Sequence, residues 1–185
     1  MTEKNELMVA FLAARQTKDK EGYLGAVLVL NEAGVPQEFH CTHPVRATST
    51  QEAIYGATLK PHVFNELIGA PLINRLTTNP KFCAVSENLL LDLGYYTDLP
   101  VVHLQRIGEV FEADNLDTSY QVKRFDSNHS EFQPVSANFL PSQELDTEII
   151  EADIEAVFNR IDIIEPFERI STALNTLVER DERFR

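Results

Sequence analysis

The run Tyr23-Leu24-Gly25-Ala26-Val27-Leu28-Val29-Leu30 contains no charged side chain and is apolar on both of its faces. Successive side chains of a strand point to opposite faces. A stretch like this one must therefore be covered on both sides, which predicts a central strand in a layered sheet. The flanking sequence fits a small antiparallel unit. Glu6 to Arg15 carries Leu7, Met8, Val9, Phe11 and Leu12 and is followed by the polar loop Thr17-Lys18-Asp19-Lys20-Glu21-Gly22. After the break at Asn31-Glu32-Ala33-Gly34, residues Val35 to Thr42 alternate, and Pro36 marks them as an edge strand because proline has no N–H for the ladder.

Helical spacing begins at Ser49-Thr50-Gln51-Glu52, which reads as a capping box with Ser49 as the cap. Ala53, Ile54 and Ala57 give the first turns an apolar side. Pro61 kinks the helix by removing one hydrogen bond and clashing with the preceding turn. Val63, Phe64, Leu67, Ile68, Leu72, Ile73 and Leu76 continue the spacing to the stop at Asn79-Pro80. Phe82–Val85 then reads as a buried strand, Glu87–Leu93 as a short helix capped by Ser86, and Val101–Leu104 as a strand. Strand, helix, strand is the signature of a parallel unit.

Gly108 to Pro141 is less regular, with one candidate strand at Tyr120–Phe125 and a turn at 126–130. Beyond Ser142 two helical stripes follow. The first has Ile149, Ile150, Ile154, Val157, Phe158 and Ile161; the second starts at Glu165-Pro166 and has Phe167, Ile170, Leu174, Leu177 and Val178. The expected organisation is an α/β core over residues 1–141 and an acidic helical region over 142–185. The fold class is α/β or α+β, a mixed sheet with a three-stranded antiparallel portion plus C-terminal helices.

Three antiparallel strands, a helix, a strand, a helix and a strand, across roughly residues 6–107, resemble the element order of the ribonuclease H-like fold. That resemblance implies a carboxylate in the middle of the first strand, another on the first helix and another at the end of the fourth strand, together holding two divalent metals. The first strand, Leu7 to Ala14, has no acid. The first helical region offers Glu52 and Glu66, and the fourth strand is followed by Glu87. The expected reading is therefore a non-catalytic member, and the alternative is a divergent metal-dependent hydrolase or nuclease.

Other chemistry is sparse. His40-Cys41-Thr42-His43 and His62 are zinc-type side chains, but His40 and Cys41 point to opposite faces of a strand and no paired-cysteine spacing accompanies them. The glycines are scattered and match no phosphate-binding loop. No catalytic residue, metal or cofactor is assigned. One pocket is a candidate, at the helix kink, where Tyr55, Lys60, His62 and Glu66 concentrate and Tyr55 with His62 could supply acid–base chemistry.

The formal net charge is −13, and it is uneven. Residues 109–168 carry 15 acidic and three basic side chains, whereas residues 1–108 carry 11 and nine. Such a field repels phosphate backbones, which argues against nucleic acid as a partner. No apolar run reaches the length of a membrane span, and the N-terminus lacks a basic signal segment, so a cytoplasmic protein is expected. These features together predict a cytosolic interaction or scaffold protein, with the C-terminal stripes mediating self-association or binding of a protein partner.

Overall fold

The computed structural model describes residues 7–17, 21–108, 121–140, 147–181 and 184. Seven strands form one mixed sheet: β1 (Met8–Gln16), β2 (Tyr23–Asn31), β3 (Pro36–Cys41), β4 (Cys83–Val85), β5 (Val101–Arg106), β6 (Gln121–Phe125) and β7 (Val135–Phe139), in the order β3-β2-β1-β4-β5-β7-β6. β1, β2 and β3 are antiparallel, while β4 runs parallel to both β1 and β5. β2 is interior, and its residues Leu24 to Leu30 are all buried, as two-sided apolarity demands. β3 is an edge, half-exposed along its length.

Each face of the sheet has its own apolar layer. On one face Phe11, Leu28, Leu104 and Phe139 pack under α4 (Thr147–Phe158) and α5 (Glu165–Arg180). Ile150, Ile154, Val157, Phe158, Ile170 and Leu174 all bury themselves there. The rings of Phe11 and Phe167 meet edge to face at 5.7 Å. Around this layer Arg15 donates to Asn175 Oδ1 at 2.9 Å, Arg106 pairs with Asp162 at 2.8 Å and Arg169 donates to the Gly34 carbonyl at 2.8 Å. The expectation that these helices carry self-association or a protein partner is corrected on physical grounds: their large apolar residues are spent on the sheet, and Ile149 is the exposed exception at 59%.

The opposite face carries the helical layer between β3 and β4. It consists of α1 (Ser49–Tyr55), a 3₁₀ turn (Gly56–Thr58), α2 (Leu59–His62), a π-helical segment (Val63–Gly69) and α3 (Ala70–Asn74). The cap is Thr48 rather than Ser49. Its hydroxyl accepts from the Gln51 amide at 3.2 Å, and Gln51 Oε1 accepts from the Thr48 amide at 2.9 Å. Glutamine therefore does the reaching back, and Glu52 is left free of the capping role. Gly25 lets this layer approach β2: a Cβ there would stand 2.5 Å from Ile68 Cγ2 and 2.9 Å from the Ala13 carbonyl. Glu38 ties β3 to the end of the layer, accepting from the amides of Thr77 and Thr78 and from His40. Desolvation raises the Glu38 carboxyl, but the bond from His40 and those from Thr78 and Thr77 together outweigh it and hold the carboxyl down at about 2.

β4 leads into a 3₁₀ helix, Asn88–Tyr95, whose Leu90, Leu91 and Leu93 are buried over the same face. β7 lies in the stretch that reads as irregular in the sequence. It inserts between β5 and β6.

Candidate functional site at the helix kink

β1 and β4 run parallel, and the chain leaves β1 on one side and returns to β4 on the other. Open α/β sheets bind ligands beyond the carboxyl ends of strands at such a switch point. Here that edge holds Leu12, Val85, Ser86 and Glu87, with the Ser86 amide donating to the Leu12 carbonyl at 3.3 Å. Leu12 is paired directly with Val85, and both are fully buried among Phe64, Ile68 and Leu90.

The two-metal centre implied by the ribonuclease H-like fold is not matched by these side chains. β1, Met8–Gln16, and β4, Cys83–Val85, carry no acidic side chain. Among the described residues, no group of three histidine, cysteine, aspartate or glutamate side chains could hold a metal ion. Glu87 pairs with Lys60 at 3.5 Å. The zinc-type residues also lie apart: His40 bonds to Glu38, His43 stacks on Phe184 at 4.7 Å, and His62 stacks on Tyr55 at 4.9 Å.

Next to this edge, the π-helical segment and the 3₁₀ helix enclose a groove of about 260 Å³. Tyr55, His62 and Glu66 line it together with Asn65, Asp92 and Tyr96. Lys60, the fourth kink residue, stands off: it pairs with Glu87 and lies over the Phe64 ring at 5.0 Å. The kink positions these groups. Pro61 has no N–H, and its carbonyl accepts from Asn65 Nδ2 at 3.0 Å, while the same amide group donates to the Leu89 carbonyl at 3.0 Å. Asn65 thereby pins the π segment to the 3₁₀ helix. π-turns of this kind concentrate at functional sites.

His62 Nδ1 and Glu66 Oε1 are 2.9 Å apart, and Tyr96 donates its hydroxyl to the same oxygen at 2.9 Å. The bond from His62, then that from Tyr96, holds the Glu66 carboxyl below its ordinary value. The Tyr96 hydroxyl is raised in turn by its bond to Glu66. Asp92 is raised by burial. With Nδ1 engaged by a carboxylate, His62 presents Nε2 as a proton acceptor, the arrangement that general bases use. A second, smaller hollow lined by Arg46, Gln51 and Leu67 shares the Tyr55–His62 wall.

Asn65, Asp92 and Tyr96 escape a reading of sequence alone. Asn65 and Asp92 sit inside apolar helical runs, and the Tyr95-Tyr96 pair was the available hint.

A buried polar row lies on the same face of the sheet at the end of β4. His103, 4% exposed, accepts from Asn138 Nδ2 at 3.1 Å and hydrogen-bonds the Ser86 backbone. Burial pushes its pKa from 6.5 to about 4. A histidine whose folded pKa is depressed contributes its full stability above the unfolded value. That contribution is lost as pH falls from about 6.5 to about 4. A loss of about 3 kcal/mol is expected across this window. Urea titrations at pH 7.5 and pH 4 should show it, and His103→Gln should flatten the pH dependence.

No family model matches the chain, and no curated protein sequence matches it. Solved structures do. Endonuclease V from Ciona intestinalis, in complex with a 23mer DNA containing an inosine followed by a ribo-adenosine, aligns with a TM-score of 0.59 at 11% identity, over 97% of this chain and 88% of that one. Endonuclease V of Bacillus subtilis gives 0.57 at 10% identity, over 94% and 83%. The Streptomyces avermitilis enzyme gives 0.57 at 13%, over 95% and 82%.

The fold is ribonuclease H-like. These neighbours correct the expectation of a non-catalytic interaction or scaffold protein. They correct equally the expectation that nucleic acid is no partner, since the fold matched over nearly the whole chain is that of nucleases, crystallised on DNA in the Ciona case. Among the described residues no helix is long and apolar enough to cross a membrane.

Proposed function

We propose that this chain is a divergent nuclease-type hydrolase acting on nucleic acid, with its chemistry at the kink groove. The observation that carries the reading is the correspondence of almost the whole chain with endonuclease V structures, joined by an acid–base pair beside the switch point of the sheet. Because β1 and β4 carry no carboxylate and no group of three metal-type side chains stands together among the described residues, no step is routed through a metal.

The roles follow from the contacts. Glu66 orients His62 through Nδ1. His62 Nε2 takes a proton of an attacking water as the water oxygen bonds to phosphorus. The bond from phosphorus to the leaving oxygen breaks, and the imidazolium returns the proton to that oxygen. Tyr55 holds the imidazole plane by stacking, and Tyr96 fixes the carboxylate.

The test is cleavage of end-labelled single- and double-stranded RNA and DNA oligonucleotides, with magnesium and with chelator. Cleavage by the wild type is expected, falling about 10²- to 10⁴-fold in His62→Ala. A wild type that cuts none of these substrates in either condition would overturn the reading, as would a His62→Ala protein that cuts as well.

A further inference from the structure

Residues 48 to 58 are all exposed, and none of the seven residues of α1 is buried. Isolated helices shorter than about 12 residues are marginal in water, and in proteins the packing of an apolar face makes up the difference. α1 has little of that packing: Ile54, its largest aliphatic side chain, is 76% exposed. The hydrogen bonds of the helix are local as well. Among the described residues, those made by residues 49 to 55 reach no further than Thr48 and Thr58. Both ends of the exposed stretch are fixed. Before it, Val45 exchanges two backbone bonds with Tyr23, at 2.7 and 2.8 Å, and His43 stacks on Phe184. After it, Asn65 holds the Pro61 carbonyl and ties the π segment to the 3₁₀ helix. Between them Gly56 closes α1, its amide donating to the Glu52 carbonyl and its φ at +51°. A Cβ at Gly56 would meet nothing within 4 Å, so the backbone turn alone requires the glycine. A turn in open space, with no side chain wedged against it, is free to act as a hinge.

Tyr55, at the end of α1, is its link to the layer beneath. The ring stacks on His62 with centroids 4.9 Å apart. Under the helix lies the small hollow, lined by Gln51 and Tyr55 on one side and by Leu59, Val63 and Leu67 on the other. Its volume of about 40 Å³ is little more than the roughly 30 Å³ that one water takes in the liquid. α1 therefore rests over a gap and not in a packed seat. The Tyr55–His62 pair is the wall that this hollow shares with the kink groove. At about 260 Å³ the groove lies below the roughly 300–1,000 Å³ of ordinary ligand pockets, and it is too small for a nucleotide within a strand while that wall stands.

We propose that α1 is a flap over the candidate site, hinged at Gly56, and that Tyr55 carries its movement to His62. With Tyr55 swung away, the hollow and the groove become one space and the imidazole is uncovered for a strand. With Tyr55 stacked, the imidazole plane is fixed for proton transfer. Tyr55 is thus a positioning residue that acts through His62. The gating role rests on the functional reading above, which gives His62 its chemistry; the movement of α1 does not.

The test is relaxation-dispersion NMR on the full chain, because flap motions fall in the microsecond-to-millisecond range. The backbone amides of residues 49–56 and the His62 ring are expected to exchange at one common rate, while Phe64 and Ile68, both fully buried, stay flat. Tyr55→Ala is expected to flatten the His62 profile and to leave exchange in α1. Tyr55→Phe keeps the stacking ring and is expected to restore the shared rate. Gly56→Ala puts a side chain at a positive φ and should move the α1 shifts toward those of the minor state. Tyr55→Ala and Gly56→Ala are both expected to melt close to the wild type, since no residue of α1 is buried. Flat profiles across residues 49–56 would overturn the proposal. So would exchange in α1 that His62 does not share, or a His62 profile that Tyr55→Ala leaves unchanged. None of these measurements uses a substrate, so a protein that cleaves no oligonucleotide would remove the hydrolase reading and leave the flap assigned.

Discussion

Leu12→Asp is expected to abolish folding. The substitution would place a carboxylate in the middle of the first strand, where the ribonuclease H-like resemblance implies one. Leu12 is fully buried, paired in register with Val85 and packed among Phe64, Ile68 and Leu90. An aspartate there loses the apolar burial of leucine, worth about 2–5 kcal/mol with the cavity left behind. It also places a carboxyl with no donor and no counter-charge in an apolar layer, which adds several kcal/mol more. The combined cost reaches the full stability of a typical domain, about 5–15 kcal/mol. The expected result is an insoluble or molten product, read by near-ultraviolet circular dichroism and by loss of a cooperative melt. A folded Leu12→Asp protein with a melting temperature near that of the wild type would show that the edge between β1 and β4 is hydrated, contrary to its packing. Leu12→Met, which keeps the volume, should cost less than about 1.5 kcal/mol and serves as the control.

Removal of residues 147–185 is expected to be equally severe. α4 and α5 cover one entire face of the sheet, and without them Phe11, Leu28, Leu104 and Phe139 would face water together. An exposed patch of that size exceeds the few hundred Å² that soluble monomers tolerate. The expected product aggregates on expression, or binds hydrophobic dyes and lacks a cooperative transition. Phe158→Ala tests the same layer in a gentler way. Phe158 is 1% exposed, and its loss should cost about 3–5 kcal/mol in urea unfolding. A truncated protein that melts cooperatively would mean that the remaining sheet face is covered in some other way.

Much of the fold was legible because periodicity is a local property. The two-sided apolar run placed β2 in the interior, Pro36 marked β3 as an edge, and Glu165-Pro166 opened α5 at its true start. β7 was not legible. Val135-Ser136-Ala137-Asn138-Phe139 alternates, but its polar positions are buried: Ser136 and Asn138 turn to the face shared with His103. Buried polar residues imitate the solvent side of an exposed strand, so the sequence looks like a loop. The helical stripes of α4 and α5 were read correctly as apolar and wrongly as a partner surface, because periodicity says that a face is buried and not what buries it. The kink groove was half visible. Tyr55, His62 and Glu66 share a short stretch of chain, whereas Asp92 and Tyr96 reach the groove through the packing of a second element, which no local pattern encodes.

The π-helical segment has a consequence for deletions. An α-helix turns about 100° per residue, so the extra residue held in a π-turn sets the phase of everything after it. Leu59 before the segment, Val63 at its first position and Leu72 and Ile73 after it all lean on the sheet layer, while Glu66 and Leu67 within it turn outward. Loss of any one residue between 63 and 69 would let the helix relax to its ordinary winding. Leu72 and Ile73 would keep their place on the core, because the residue lost is the one that the wider turn had absorbed. In a chain related to this one, a single-codon gap at the segment would therefore mark an ordinary α-helix with the same apolar stripe and without the bulge that shapes the groove, whereas substitutions there leave the winding intact.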